Sequence, residues 1–183
     1  MQNSVSDDTG SDGQRFNQVA SASPVVKGGQ GLQPLALGEL PAPEDLLPHR
    51  PPFLFLTAIT YLAPGQEAQG YWDLSGREDF FVGHFPGRPT LPGVLMVESI
   101  AQLGAAAVLS IPSTEQASPR GKLPLFGGIE KARFRRQVVP GDRLDIEVSL
   151  GRLSARGGRG AGRASVNGQL ACQVELLFVM VDG

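Results

Sequence analysis

From Val94 to Leu109 the chain is apolar on almost every face at helical spacing, and Glu98 is the one charged side chain in that stretch. A helix that is apolar all round is a buried helix. Gly93–Leu109 therefore predicts a central helix of about 17 residues, about 25 Å long. Both limits have a physical cause: Pro92 falls at the first turn, where a helix tolerates proline, and Pro112 lies just beyond the end. The length approaches that of a membrane span, but a carboxylate at the middle and the lack of flanking basic anchors argue for a core helix.

Outside this helix the apolar period drops towards two. Phe53–Leu62 and Gln66–Leu74 are short strand-like runs parted by Pro64-Gly65. Further on, Leu144, Ile146, Val148 and Leu150 alternate with Asp145, Glu147 and Ser149, the signature of a half-buried strand. Ala164–Val166 and Gln169–Val181 flank Asn167-Gly168, a strong hairpin signal, and Pro140-Gly141-Asp142 marks another turn. Two strands, one helix and then several strands read as α+β, without the βαβ alternation of a doubly wound parallel sheet. Residues 1–42 carry Ser, Gly, Asp, Gln and Pro with no sustained apolar period, and read as a disordered tail. Residues 43–183 then form one domain large enough for a core. No basic start leads into an apolar run, so no secretory signal is expected; Asp7 and Asp8 weaken an organelle reading, and the default location is cytoplasmic.

Against this frame two side chains carry chemistry. Glu98 sits in an apolar helix, where an unpaired carboxylate costs several kcal/mol (about 2–7 for a polar group, more for a charge) unless it is paired, hydrogen-bonded or protonated. A desolvated carboxyl group kept protonated is suited to act as a general acid. Gln102, one turn on, can hold it. The bland alternative is a solvent-facing Glu on an amphipathic helix. Fourteen positions before Glu98, His84 lies in Gly83-His84-Phe85-Pro86-Gly87, a segment punctuated by Pro89, Pro92 and Gly93. Such a loop follows a tight irregular path that can hold an imidazole rigidly, and a neutral imidazole accepts a proton near pH 7.

Five motifs now carry a resemblance: Leu47-Pro48-His49-Arg50-Pro51-Pro52-Phe53-Leu54, Phe80-Phe81-Val82-Gly83-His84-Phe85-Pro86-Gly87-Arg88-Pro89, Leu91-Pro92-Gly93-Val94-Leu95, Glu98-Ser99-Ile100-Ala101-Gln102 and Gly128-Ile129-Glu130-Lys131-Ala132-Arg133-Phe134. In order and spacing they resemble the FabZ family of (3R)-hydroxyacyl-[acyl-carrier-protein] dehydratases, over about residues 44–181. The resemblance implies a hotdog fold, with an antiparallel sheet wrapped round one central helix, and a cofactor-free dehydration in fatty-acid synthesis. It implies that His84 and Glu98 are the catalytic pair, met across a dimer interface, and that the enzyme is a homodimer assembled as a trimer of dimers. Glu98, where the sister FabA-type family carries Asp, favours a dehydratase without isomerase activity. One departure is Pro51, where the family commonly has an aromatic residue.

Loss of water from a 3-hydroxyacyl thioester needs a base for the C2 proton, an acid for the 3-hydroxyl and a donor for the carbonyl oxygen. His84 is assigned as base and Glu98 as acid. The Gly93 and Val94 amides at the helix start are the candidate carbonyl donors, although Gly93 reads equally as a tight turn. Gln102 and Phe81 complete the candidate substrate-binding set, with Phe80, Val94 and Val97 able to limit a tunnel. His49, outside the acid/base segment, is read as structural. Other enzymes of the same class, an isomerising or polyketide-type dehydratase, and a silent acyl-thioester binding module remain alternatives.

Composition changes little. A formal net charge of −2 gives no global nucleic-acid footprint. Cys172 is the single cysteine and reads as a buried small hydrophobe; two histidines thirty-five positions apart give no metal spacing. Lys131, Arg133, Arg135, Arg136, Arg152, Arg156, Arg159 and Arg163 could include a patch for an acidic acyl carrier protein, or be solvated strand faces with a Gly/Arg loop at 156–163. That short Arg/Gly run lacks the interleaved aromatics of an RNA site.

Overall fold

The computed structural model describes residues 32–114 and 121–183. Six strands form one sheet: β1 (Ala58–Ala63), β2 (Glu67–Asp73), β3 (Lys122–Phe134), β4 (Arg143–Ser154), β5 (Gly157–Val166) and β6 (Gln169–Asp182). Their order is β1-β2-β4-β5-β6-β3, every neighbouring pair is antiparallel, and β1 and β3 form the edges. Among the described residues a 3-10 turn (Leu37–Glu39) and three α-helices accompany them: α1 (Pro43–Leu46), α2 (Phe80–Gly83) and α3 (Gly93–Leu109). Helix α3 has the predicted limits, with Pro92 as its N-cap. The sheet wraps this one long helix, which is the hotdog arrangement.

The alternating pattern of β4 is what buries the helix. Leu144, Ile146 and Val148 point inward and are nearly inaccessible, as are Val174 and Leu176 of β6 and Ile100 and Leu103 of α3. Each such side chain contributes about 1.5–3 kcal/mol of burial. On the first part of β5 the inward positions are glycines, before Ala164 and Val166 take over, and the space the glycines leave is filled. A Cβ on Gly162 would come within 2.3 Å of Ile100 Cγ2, one on Gly160 within 3.1 Å of Leu150 Cδ2 and one on Gly158 within 2.5 Å of Leu153 Cδ2. The Gly/Arg run read as a loop alternative is thus a strand, in which Gly162 lets Ile100 of α3 approach and Gly158 and Gly160 make room for Leu153 and Leu150 of β4.

Other expectations shift for identifiable reasons. The first strand begins at Ala58 rather than Phe53, because the backbone of Phe53 and Phe55 is bonded to the Gln102 side chain instead of a neighbouring strand. Strand β3 has no clean period of two and contains Pro124 and the Gly127-Gly128 pair; an edge strand tolerates both. At the Asn167-Gly168 turn both residues take positive φ, 51° and 74°, as the hairpin reading requires. Residues 1–31 of the expected tail lie outside the described residues. The part from 32 to 42 packs on the domain: Leu35 N–H donates to the Leu62 carbonyl at 2.9 Å, and Gln66 Nε2 donates to the Leu32 carbonyl at 2.6 Å. The His84–Phe85 and Pro51–Pro52 peptides are cis. Among the described residues no helix is long and apolar enough to cross a membrane.

Candidate active site

Helical periodicity places Glu98 and Gln102 on one face of α3, with Ala101 and Ala105 beside them. Glu98 is neither solvent-facing nor fully interior: its side chain is 17% exposed. Gln102 is 1% exposed and its amide is fully used. Its Nε2 donates to Glu98 Oε1 at 3.0 Å and to the Phe53 carbonyl at 3.2 Å, while its Oε1 accepts the Phe55 N–H at 2.8 Å. One side chain therefore fixes the Glu98 carboxylate and ties the segment 47–55 to the helix. The carboxylate opens into a cavity whose other walls come from His49, Pro124, Leu125, Phe126 and Phe178. His49 Nε2 lies 3.8 Å from Glu98 Oε1.

His84 is held in a different place, in the turn after α2. Its ring stacks on Phe85 at 4.1 Å, its N–H donates to the Phe80 carbonyl and its carbonyl accepts the Thr90 N–H at 2.8 Å. Nδ1 lies 2.7 Å from the Thr90 carbonyl oxygen. A carbonyl can only accept, so Nδ1 carries the hydrogen, and the neutral ring presents a bare lone pair at Nε2. The arrangement is that of a base with its tautomer chosen by the main chain. His84 does not line the Glu98 cavity of its own chain; the histidine there is His49.

A FabA-like domain is matched over residues 47–175. Over 137 residues the chain is 48% identical to the 3-hydroxyacyl-[acyl-carrier-protein] dehydratase FabZ of Moorella thermoacetica, an alignment covering 75% of this chain and 92% of that one. The protein of the same name from Chloroflexus aggregans is 52% identical over the same shares. The chain belongs to the FabZ family. Among solved structures, the dehydratase heterocomplex ApeI:P of Xenorhabdus doucetiae aligns with a TM-score of 0.63 over 77% of this chain and 91% of that one; at 18% identity the likeness is one of fold.

In this FabZ-family chain the remaining candidates fall into two groups. Gly93 and Val94 begin α3, where their amides have no intrahelical acceptor. Gly93 also has a packing reason, since a Cβ there would meet the Phe134 ring at 3.0 Å. Val94 is 69% exposed. Phe81, in contrast, is buried in the core against Phe80, with ring centroids 4.6 Å apart. Cys172 is buried, and burial pushes its thiol up to about 12, so it packs rather than reacts. Among the described residues no three His, Cys, Asp or Glu side chains converge as a metal site needs. Sequence reasoning missed Thr90, whose contribution is a backbone carbonyl and leaves no mark in residue type. It also set aside His49, which only the fold brings to Glu98.

Proposed function

We propose that the protein dehydrates (3R)-3-hydroxyacyl thioesters of acyl carrier protein to trans-2-enoyl thioesters, with His84 of one chain and Glu98 of a second as base and acid. Family membership supports the reaction, and the 2.7 Å contact between His84 Nδ1 and the Thr90 carbonyl carries the role of the base. Nε2 takes the C2 proton, and charge gathering on the thioester oxygen meets the free amides of Gly93 and Val94 at the positive end of α3. Glu98, oriented by Gln102, protonates the 3-hydroxyl; the C3–O bond breaks and water leaves.

Two chains are needed because the cavity at Glu98 is lined by its own chain's His49 and not by His84. Pairing has an available surface. Edge strand β3 exposes Leu125, Phe126, Ile129 and Phe134, with Val94, Val82 and Phe85 exposed nearby in sequence to the two catalytic side chains. An open edge carrying apolar side chains is a template for a second copy. A trimer of such dimers is the higher assembly proposed. For the carrier protein, several expected cations are already engaged: Lys131 pairs with Glu175, Arg159 with Glu130 and Arg163 with Glu147. Arg133, Arg135, Arg136, Arg152 and Arg156 have no carboxylate partner among the described residues and are the better candidates to meet an acidic partner.

Turnover of a (3R)-3-hydroxyacyl carrier-protein thioester, followed by enoyl absorbance and mass spectrometry, tests the reading. Wild type should form the trans-2 product without a cis-3 isomer, and His84→Ala and Glu98→Gln should each lose on the order of 100-fold or more. Tight binding of short and long thioesters without any turnover would instead mark a binding module.

A further inference from the structure

The mechanism above leaves His49 without a task, although it shares the Glu98 cavity. Its position is firmly set. Leu47 is buried, Arg50 Nη1 donates to the carbonyls of Leu47 at 2.7 Å and His49 at 2.6 Å, and Gln102 clamps Phe53 and Phe55 just beyond. The ring nitrogens meet different surroundings. Nε2 faces Glu98 Oε1 at 3.8 Å, whereas Nδ1 is buried and has no hydrogen-bond partner among the described residues.

That orphaned nitrogen selects a tautomer. A buried N–H left without an acceptor costs about 1–3 kcal/mol, and unpartnered donors are rarer in folded proteins than under-used acceptors. The bare lone pair therefore belongs on Nδ1 and the hydrogen on Nε2. His49 meets the carboxylate as a neutral donor aimed at the oxygen that already accepts the 3.0 Å bond from Gln102.

Resting on the acid role given to Glu98 above, we propose that His49 is a positioning residue: with Gln102 it directs two N–H groups at Oε1, so that the transferable proton resides on Oε2. The proton delivered to the departing hydroxyl then always leaves from the same oxygen. As the C2–H bond gives its proton to His84 Nε2, the electron pair forms the C2–C3 double bond. The C3–O bond breaks, and the Oε2 proton completes the water. Glu98 is left as a carboxylate, stabilised by the same two donors, until it regains a proton from solvent. At 3.8 Å the contact is longer than a direct hydrogen bond. It closes through one bridging water, or by a shift of about 1 Å on substrate binding, as catalytic contacts in substrate-free enzymes often do.

The full-length enzyme with His49→Gln, His49→Asn and His49→Ala tests this, in wild-type and Glu98→Gln backgrounds, using a 3-hydroxyacyl carrier-protein thioester. The glutamine amide can reach the place of Nε2, whereas that of asparagine reaches only the place of Nδ1. His49→Gln should stay within about threefold of wild type, while His49→Asn and His49→Ala lower kcat about tenfold with KM within about twofold. In the Glu98→Gln background the His49 substitutions should add no further loss, because they act through the carboxyl group. Equal activity of His49→Gln and His49→Asn, a change confined to KM, or full additivity with Glu98→Gln would overturn the assignment. The controls separate the two readings: an inactive wild type sinks the dehydratase reading itself, whereas an active wild type crippled by Glu98→Gln but indifferent to His49→Asn sinks the His49 inference alone.

Discussion

The two histidine segments of this chain are built alike and placed differently. Each is a short stretch rich in proline, and each has its histidine's backbone anchored by local hydrogen bonds, but only the His84 ring is bonded to the main chain. In the 80–90 segment a carbonyl takes the Nδ1 hydrogen and turns a lone pair outward, beside exposed Val82 and Phe85. In the 47–55 segment no carbonyl meets Nδ1, and the other nitrogen is aimed inward at a carboxylate. The difference shows that a histidine's chemical part is decided by what its other nitrogen touches. A general base needs an acceptor behind it; a donor to a carboxylate needs none.

The largest effect that would break this contrast is loss of the outward lone pair with the anchor retained. His84→Asn keeps a donor near the place of Nδ1 and removes Nε2, so turnover should fall on the order of 100-fold or more while the melting temperature stays close to wild type. A large loss of stability instead would mean that the ring serves packing. Next comes the placement of the two residues in separate chains. Mixing His84→Ala and Glu98→Gln subunits after dissociation should restore activity to about a quarter of wild type, because half the dimers are mixed and each regains one intact site. No recovery would put both residues in one chain's site.

A smaller effect reaches the inward segment. Gln102→Leu strips the Phe55 N–H and the Phe53 carbonyl of their partner, and should lower stability by about 3 kcal/mol in urea unfolding, with increased protease cleavage within 47–55. An unchanged midpoint would show that the clamp is not what holds His49. The smallest effect lies away from both segments and calibrates them. With its thiol pushed up to about 12 by burial, Cys172 should resist alkylation at pH 8 until denaturant is added. The unfolded thiol ionises near 9.0 and the folded one near 12, so the Cys172 contribution to stability is constant below pH 9 and is lost as pH rises through that window. Cys172→Ala should flatten the fall.

Much of this was legible beforehand, for physical reasons that differ by element. Helix α3 was readable to the residue because its length, apolarity and flanking prolines are all local properties. Strand β4 was readable because one face is buried and the other wet. Strand β3 was not: on an edge, with most of its large side chains exposed, it is under no pressure to alternate. Glycine in β5 read as a loop because residue type reports flexibility, while the cause here is close packing by Ile100 of the helix and by Leu150 and Leu153 of the neighbouring strand. The Glu98–Gln102 contact was visible from one turn of helix, whereas His84, singled out by its motif, stands outside the Glu98 cavity of its own chain. The company each keeps was not, since Gln102 reaches back 49 residues to Phe53 and 47 to Phe55.

The row of glycines on β5 has a consequence for how this scaffold can diversify. A side chain added at Gly158, Gly160 or Gly162 would press on Leu153, Leu150 or Ile100, so a substitution there is met first by strain in the packing, typically about 1–3 kcal/mol. None of these glycines lines the cavity beside Glu98, so variation that resizes it is channelled to its own walls, above all Leu125 and Phe126 on the open edge. The glycine strand is thereby held constant across descendants, while the open-edge strand is left free to record their different diets.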